Sequence, residues 1–137
     1  NVLAGIGRGQ LKVLDERIAK KKYIFEYYKR ELANLEGIQF MPVNDWNEPN
    51  YWLSCILLKG AVRPLDVILA LEIENIESRP LWKPMHMQPF FEKYDYVGAH
   101  VAEDLFENGI CLPSDTKMTD DDLERVTKIL KGLWSKQ

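Results

Sequence analysis

Three prolines, Pro80, Pro84 and Pro89, fall within ten positions of one another, and no helix can run through them. Each lacks an amide donor, fixes its own φ, and pushes the residue before it (Arg79, Lys83, Gln88) toward extended geometry. Any fold must therefore accommodate a stiff connection over residues 78–91, Ser-Arg-Pro-Leu-Trp-Lys-Pro-Met-His-Met-Gln-Pro-Phe-Phe. This stretch carries Arg79, Lys83 and His86 and no acidic residue, in a chain of net charge −3. Trp82, Met85, Met87, Phe90 and Phe91 add apolar surface. Cations beside aromatic rings on a stiff loop suit an anionic, partly planar ligand. The competing reading is a connection that packs its aromatics into the core, where aromatics and Met usually go.

The flanks of this stretch predict helices and short strands. Leu11, Leu14, Ile18, Phe25, Tyr28, Leu32 and Leu35 recur at helical spacing and predict one long helix over residues 10–35, with Gly37 as its left-handed cap. Residues 38–41 read as a short strand stopped by Pro42. A polar loop follows, holding Trp46 as either a lid on the core or a partner contact. Residues 51–58 form the clearest strand, bounded by Asn50 and Gly60. Pro64 suits the first turn of a helix over 64–74, with Leu65, Ile68, Leu69 and Leu71 on its buried side. A strand over 76–79 leads into the proline-rich loop. A helix over 99–107 ends at Asn108-Gly109, and residues 110–112 give a last strand. Thr119 with Asp122 three residues on forms a capping-box-like start to a final helix, its apolar face formed by Leu123, Val126, Ile129, Leu130 and Leu133. The expected fold is α+β: a two-layer small domain, a mostly antiparallel sheet covered by helices, with a long N-terminal helix.

At 137 residues the chain is one ordinary domain. It opens on Asn with an apolar stretch flowing into a helix, and so reads as a cut inside a longer protein. The acidic balance gives no case for nucleic acid, and no apolar run approaches a membrane span of about 20 residues. Lys20-Lys21-Lys22 is expected to be a solvated face. Cys55 and Cys111, in apolar surroundings, read as buried strand thiols of a reducing, cytoplasmic compartment. No spacing of Cys and His suggests a metal site. Gly5-Ile-Gly7-Arg-Gly9 lacks the strand that a dinucleotide fingerprint requires, and a helix threading past a partner explains its glycines better. The run Asp120-Asp121-Asp122 is explained by a helix N-terminus. His86 can hydrogen-bond a phosphate or sugar hydroxyl, or satisfy a loop carbonyl. His100 reads as a surface or capping residue. Neither has a nucleophile beside it in sequence.

Three stretches, in order, resemble the DegT/DnrJ/StrS sugar aminotransferases. Asn1-Val-Leu-Ala-Gly-Ile-Gly-Arg-Gly-Gln-Leu11 is similar to that family's S-N-x-x-A-A-x-G-x-x-Q-L, with Gly5 in place of the second alanine. Ser78-Arg-Pro-Leu-Trp-Lys-Pro-Met-His-Met-Gln-Pro89 is similar to its T-R-P-L-W-K-P-M-H-x-Q-P. Cys111-Leu-Pro-Ser and the acidic helix start after Met118-Thr119 resemble its L-P-S-x-x-x-L-T ending.

The resemblance implies the C-terminal small domain (residues 1–137) of a pyridoxal-phosphate enzyme of aspartate-aminotransferase fold. Such enzymes move an amino group, typically from glutamate, onto a nucleotide-linked keto-sugar, and work as homodimers. It also implies that the Schiff-base lysine and the other cofactor contacts lie upstream, so that residues 1–137 hold no catalytic or cofactor-binding residue and should not transaminate alone. His86 would reach the nucleotide-sugar, with Arg79, Trp82 and Lys83 as further substrate-side contacts. The alternative within the same fold is a non-catalytic regulator or sensor that has lost the lysine.

Overall fold

A computed structural model describes residues 1–135. It contains two N-terminal helices where the hydrophobic stripe predicts one: α1 (Val2–Leu11) and α2 (Leu14–Leu32). The break falls at Lys12 and Val13. There the amides of Lys12 and Val13 turn back to Gly9 and Gln10, three residues earlier, and tighten the last turn of α1 before α2 restarts. Three alternating glycines weaken α1 as a helix. α2 also stops early, at Leu32, with Ala33 as its cap. Gly37 does have a left-handed φ of 78°, but its task is different. It turns the chain into β1 (Ile38–Phe40), and its carbonyl accepts from the Lys59 amide at 2.8 Å.

The sheet is completed by β2 (Ser54–Leu58), β3 (Arg79–Pro80) and β4 (Gly109–Leu112), in the order β1-β2-β4-β3 with every pairing antiparallel. β1 ends one residue short of its expected span, and two strands are shorter by more, for local reasons. β2 begins at Ser54 because the Asn50 side chain accepts from the Trp52 amide (3.0 Å) and Tyr51 takes a φ of 50°. That turn uses up the first residues of the predicted strand. β3 loses Ile76 to the preceding helix, α3 (Pro64–Ile73). Asn75 is left-handed, its amide reaches Glu72 O, and the Ile76 amide reaches Leu71 O, which is a complete Schellman cap. Pro80 then sits on the sheet edge, where a missing donor costs least.

α3 also buries a different face from the one its spacing suggests. Pro64, Val67 and Leu71 are buried, Ile68 partly so, while Leu65, Leu69 and Ile73 face solvent. The helix is apolar nearly all round, so periodicity cannot choose a side; its contacts with α5 (Asp120–Trp134) choose it. Those contacts include Arg125, which donates to the carbonyl and carboxylate of Glu74.

α5 matches expectation. Thr119 Oγ1 accepts from the Asp122 amide (3.2 Å) while Asp122 accepts from the Thr119 amide (2.8 Å). Leu123, Val126 and Leu130 are buried. Thr119→Ala should cost about 1 kcal/mol of stability in urea denaturation. A loss below a few tenths would mean that the box adds nothing beyond the helix's own packing.

One face of the sheet meets α2, α3 and α5 in a single core of Ile24, Tyr28, Leu32, Ile56, Leu58, Val67, Leu71, Ile110, Leu112, Leu123, Val126 and Leu130. Tyr28 is wholly buried, and its hydroxyl donates to Pro113 O at 2.7 Å. The last helix before β4, α4 (Val101–Asn108), lies against β2 and β4 on the other face. Gly109 allows this approach: a Cβ there would fall 2.3 Å from Leu105 O and 2.2 Å from Leu81 Cδ1. No described helix is long and apolar enough to cross a membrane.

Candidate functional site

The proline-rich stretch leaves β3 and stays outside the core. Leu81 N still donates to Gly109 O, then Pro84 (φ −56°, ψ 147°) turns the chain into a 3₁₀ turn at Met85–Met87. Further turns follow through Phe91 and Tyr94. Trp82 is 66% exposed, Met85 57% and Phe90 68%. Packing of these side chains into the core is therefore set aside, and the loop presents them to solvent.

Three of the four residues singled out from the sequence divide between two places, and the fourth, Lys83, joins neither. Arg79 and Trp82 line a cleft with Lys21, Trp52, Leu53, Cys111 and Ser114. The Trp52 and Trp82 rings lie 6.4 Å apart at 35°. Arg79 donates through Nε and Nη2 to Glu77 Oε1, at 2.7 and 2.5 Å; both partners are exposed, so the pair exchanges readily with water or an anion. His86 faces a second hollow, with Met85, Phe90, Phe91, Tyr94 and Tyr96. The Lys83 ammonium has no hydrogen-bond or ion-pair partner among the described residues and lines neither hollow.

His86 is the most firmly held of the four. Its Nε2 lies 2.7 Å from Glu103 Oε1, and its ring stacks on Tyr96 at 3.7 Å between centroids and 19° between planes. Tyr96 is itself fixed by donation to Ala99 O. The second oxygen of Glu103 lies 2.5 Å from His100 Nδ1. Hydrogen bonds from His100 first and His86 second hold the Glu103 carboxyl below its ordinary range. Glu103 thus titrates lower in the folded chain than in the unfolded one. Its contribution to stability is full above the unfolded carboxylate pKa, about 4.3, and is lost as pH falls through the folded value. Glu103→Gln should therefore flatten the acid limb of a stability-against-pH profile below about pH 4.3. An unchanged acid limb in urea midpoints would show that the two histidines do not hold this carboxylate in solution.

Sequence reasoning missed the cross-chain members of both places. Lys21 is not part of a solvated face: its ammonium turns inward and donates to Ser114 O, and burial lowers its pKa against the opposing pull of Asp115. Arg17 similarly donates to Thr116 Oγ1. Trp52, Tyr96 and Glu103 carry no motif of their own. Only the aromatic density of 90–96 and the acids after His100 mark that region in the sequence.

The comparisons with known proteins agree with this architecture. The model of the DegT/DnrJ/EryC1/StrS aminotransferase family matches residues 1–131. EpsN of Bacillus subtilis, provisionally named a pyridoxal phosphate-dependent aminotransferase, is 45% identical over 98% of this chain and 36% of its own length. GDP-perosamine synthase of Vibrio cholerae is 31% identical over 98% of this chain and 37% of its own. The chain therefore spans about a third of the length of the curated relatives it matches. Among solved structures, the aminotransferase TlmJ from Streptoalloteichus hindustanus superposes with a TM-score of 0.83 at 22% identity. That match covers 94% of this chain and 35% of TlmJ, and it shows the shared fold.

Proposed function

The chain belongs to the DegT/DnrJ/EryC1/StrS aminotransferase family, and from that premise we propose that it is the C-terminal small domain of a pyridoxal-phosphate-dependent enzyme. The full-length enzyme would transfer an amino group from glutamate to a nucleotide-linked keto-sugar, and this domain would hold the substrate side. The observation that carries the reading is the proline-pinned loop. It keeps Trp82 and Lys83 in solvent on a frame fixed by the Glu103–His86–Tyr96 contacts, in a chain 45% identical to EpsN.

The residues divide the work by chemistry. Trp52 and Trp82 offer flat faces for a planar ring. Arg79 and Lys83 offer cations for a diphosphate, Arg79 by exchanging its exposed Glu77 partner for a phosphate oxygen. His86 holds the loop in register through Glu103 and stands at the second hollow as a hydrogen-bonding group for the sugar. The cleft does not fit the cofactor: its one lysine is spent on Ser114 O, which leaves no free ammonium there to form the cofactor's Schiff base. Pyridoxal phosphate is accordingly assigned to the rest of the full-length protein, and no step is routed through it here. The exposed apolar side chains of α1, Val2, Leu3, Ile6 and Leu11, suit a covering surface from the rest of that protein or from a second subunit of a homodimer.

The test is an amino-transfer assay on the full-length protein with pyridoxal phosphate, glutamate and nucleotide-linked 3- or 4-keto-sugars. Formation of 2-oxoglutarate together with an aminated sugar nucleotide is the expected result. A protein that binds the sugar nucleotide but transfers nothing, and lacks the cofactor's lysine, is instead the non-catalytic relative. A protein that binds no sugar nucleotide defeats the reading altogether.

A further inference from the structure

Cys55 on β2 and Cys111 on β4 are direct register partners, both are free, and their sulfurs lie 3.7 Å apart. Opposed residues of an antiparallel pair leave the sheet on the same side, with Cα atoms about 4.5–5.5 Å apart. That spacing lies inside the range of about 4.4–6.8 Å that a disulfide bridges. Ile56 and Ile110, the next residues along, enter the core. The two sulfurs therefore face the opposite side of the sheet, where Cys111 lines the cleft beside Trp82. One S–H···S hydrogen bond joins them. That bond favours a thiolate at one sulfur while the other keeps the proton, and Cys111, the one that lines the cleft, is the sulfur placed to act as nucleophile.

We propose that Cys55 and Cys111 are a peroxide-responsive pair that closes into an intramolecular disulfide between β2 and β4. The Cys111 thiolate attacks one oxygen of hydrogen peroxide, and the O–O bond breaks. The departing hydroxide takes up a proton to become water, leaving Cys111 as a sulfenic acid. Cys55 sulfur then attacks Cys111 sulfur: the S–S bond forms, the S–O bond breaks, and a second water leaves with the Cys55 proton. Two thiols are oxidised by two electrons, and one peroxide is reduced to two waters. Closure from 3.7 Å to a bonded distance of about 2.05 Å needs side-chain rotation and no slip of the strands. In a reducing compartment such a bond is transient and reversible, as suits a sensor rather than a structural staple. The pair stands on the sheet register alone and does not depend on what the cleft binds.

The test treats the reduced full-length protein with hydrogen peroxide, alkylates it under denaturing conditions and maps the peptides. The expected result is a peptide pair joined through Cys55 and Cys111, two hydrogens lighter than its parts, that dithiothreitol returns to two alkylatable thiols. In Cys55→Ser, a dimedone adduct accumulates on Cys111. In Cys111→Ser, Cys55 gives none at the same dose. Two fully alkylated thiols after peroxide, a link only between different molecules, or sulfinic acid at Cys111 with no linked peptide in the wild-type chain would each overturn the proposal.

Discussion

Gly37→Ala is expected to destabilise the chain by about 3 kcal/mol, the sum of roughly 1–2 for a left-handed φ and roughly 1–3 for overpacking. The φ of 78° admits any side chain only with strain. An added Cβ would also lie 2.5 Å from Gly60 N and 2.7 Å from Gly60 Cα. These are backbone atoms, and they cannot rotate away as a flexible side chain would. Relief requires the two turns to part, which pulls on the hydrogen bond from Lys59 N to Gly37 O and on the first β1–β2 register pair, Ile38 with Leu58. Leu58 is 1% exposed and part of the core, so the damage passes directly into packing. Gly60→Ala is the control. Its Cβ would meet Glu36 O at 3.2 Å with no left-handed φ to maintain, so its cost should stay near 1 kcal/mol. Urea denaturation of the two variants separates the contributions. Equal midpoints for Gly37→Ala and Gly60→Ala would remove the left-handed turn as the cause.

The same turn shows where sequence patterns succeed and where they stop. A glycine after an amphipathic stripe does mark a left-handed residue, but spacing cannot tell a helix cap from a strand entry five residues past the helix end. α5 is legible because its signals agree: Thr119 and Asp122 at box spacing, acids at the dipole's positive end, and a narrow apolar stripe. α3 is illegible in its facing because it is apolar all round, and its partner α5 lies some fifty residues further along. Ile76 has the composition of a strand residue and the geometry of a Schellman cap, and only the left-handed Asn75 before it decides. The candidate site follows the same rule. The loop's prolines and cations are visible in one short run, which identifies the loop but not its contacts. Lys21 to Ser114 and His86 to Glu103 are pairings made by the fold, and no local pattern announces them.

His86→Ala in the full-length enzyme should raise KM for the nucleotide-sugar about 30-fold, the equivalent of roughly 2 kcal/mol for a lost hydrogen bond involving a charged group. kcat should stay within about twofold, because the proposed contact, lying away from the reacting atoms, would serve the bound substrate and the transition state alike. The effect has two parts. A hydrogen-bonding group at the second hollow disappears, and Glu103, held ionised by its histidine contacts, loses one partner. It then presents negative charge toward a ligand that is itself anionic. Glu103→Gln separates the two. Alone it should change KM little, since an amide oxygen can still accept from His86. Combined with His86→Ala it should recover part of the loss, because no unpaired carboxylate remains to repel the diphosphate. Cofactor absorbance serves as the control, and all three variants should retain it, as their substitutions lie in a domain assigned no cofactor contact. A KM unchanged in His86→Ala would take His86 off the substrate side and leave it a brace for Tyr96 and the loop. A fall in kcat at constant KM would instead place it against the reacting atoms, and full additivity in the double variant would rule out the unmasked charge.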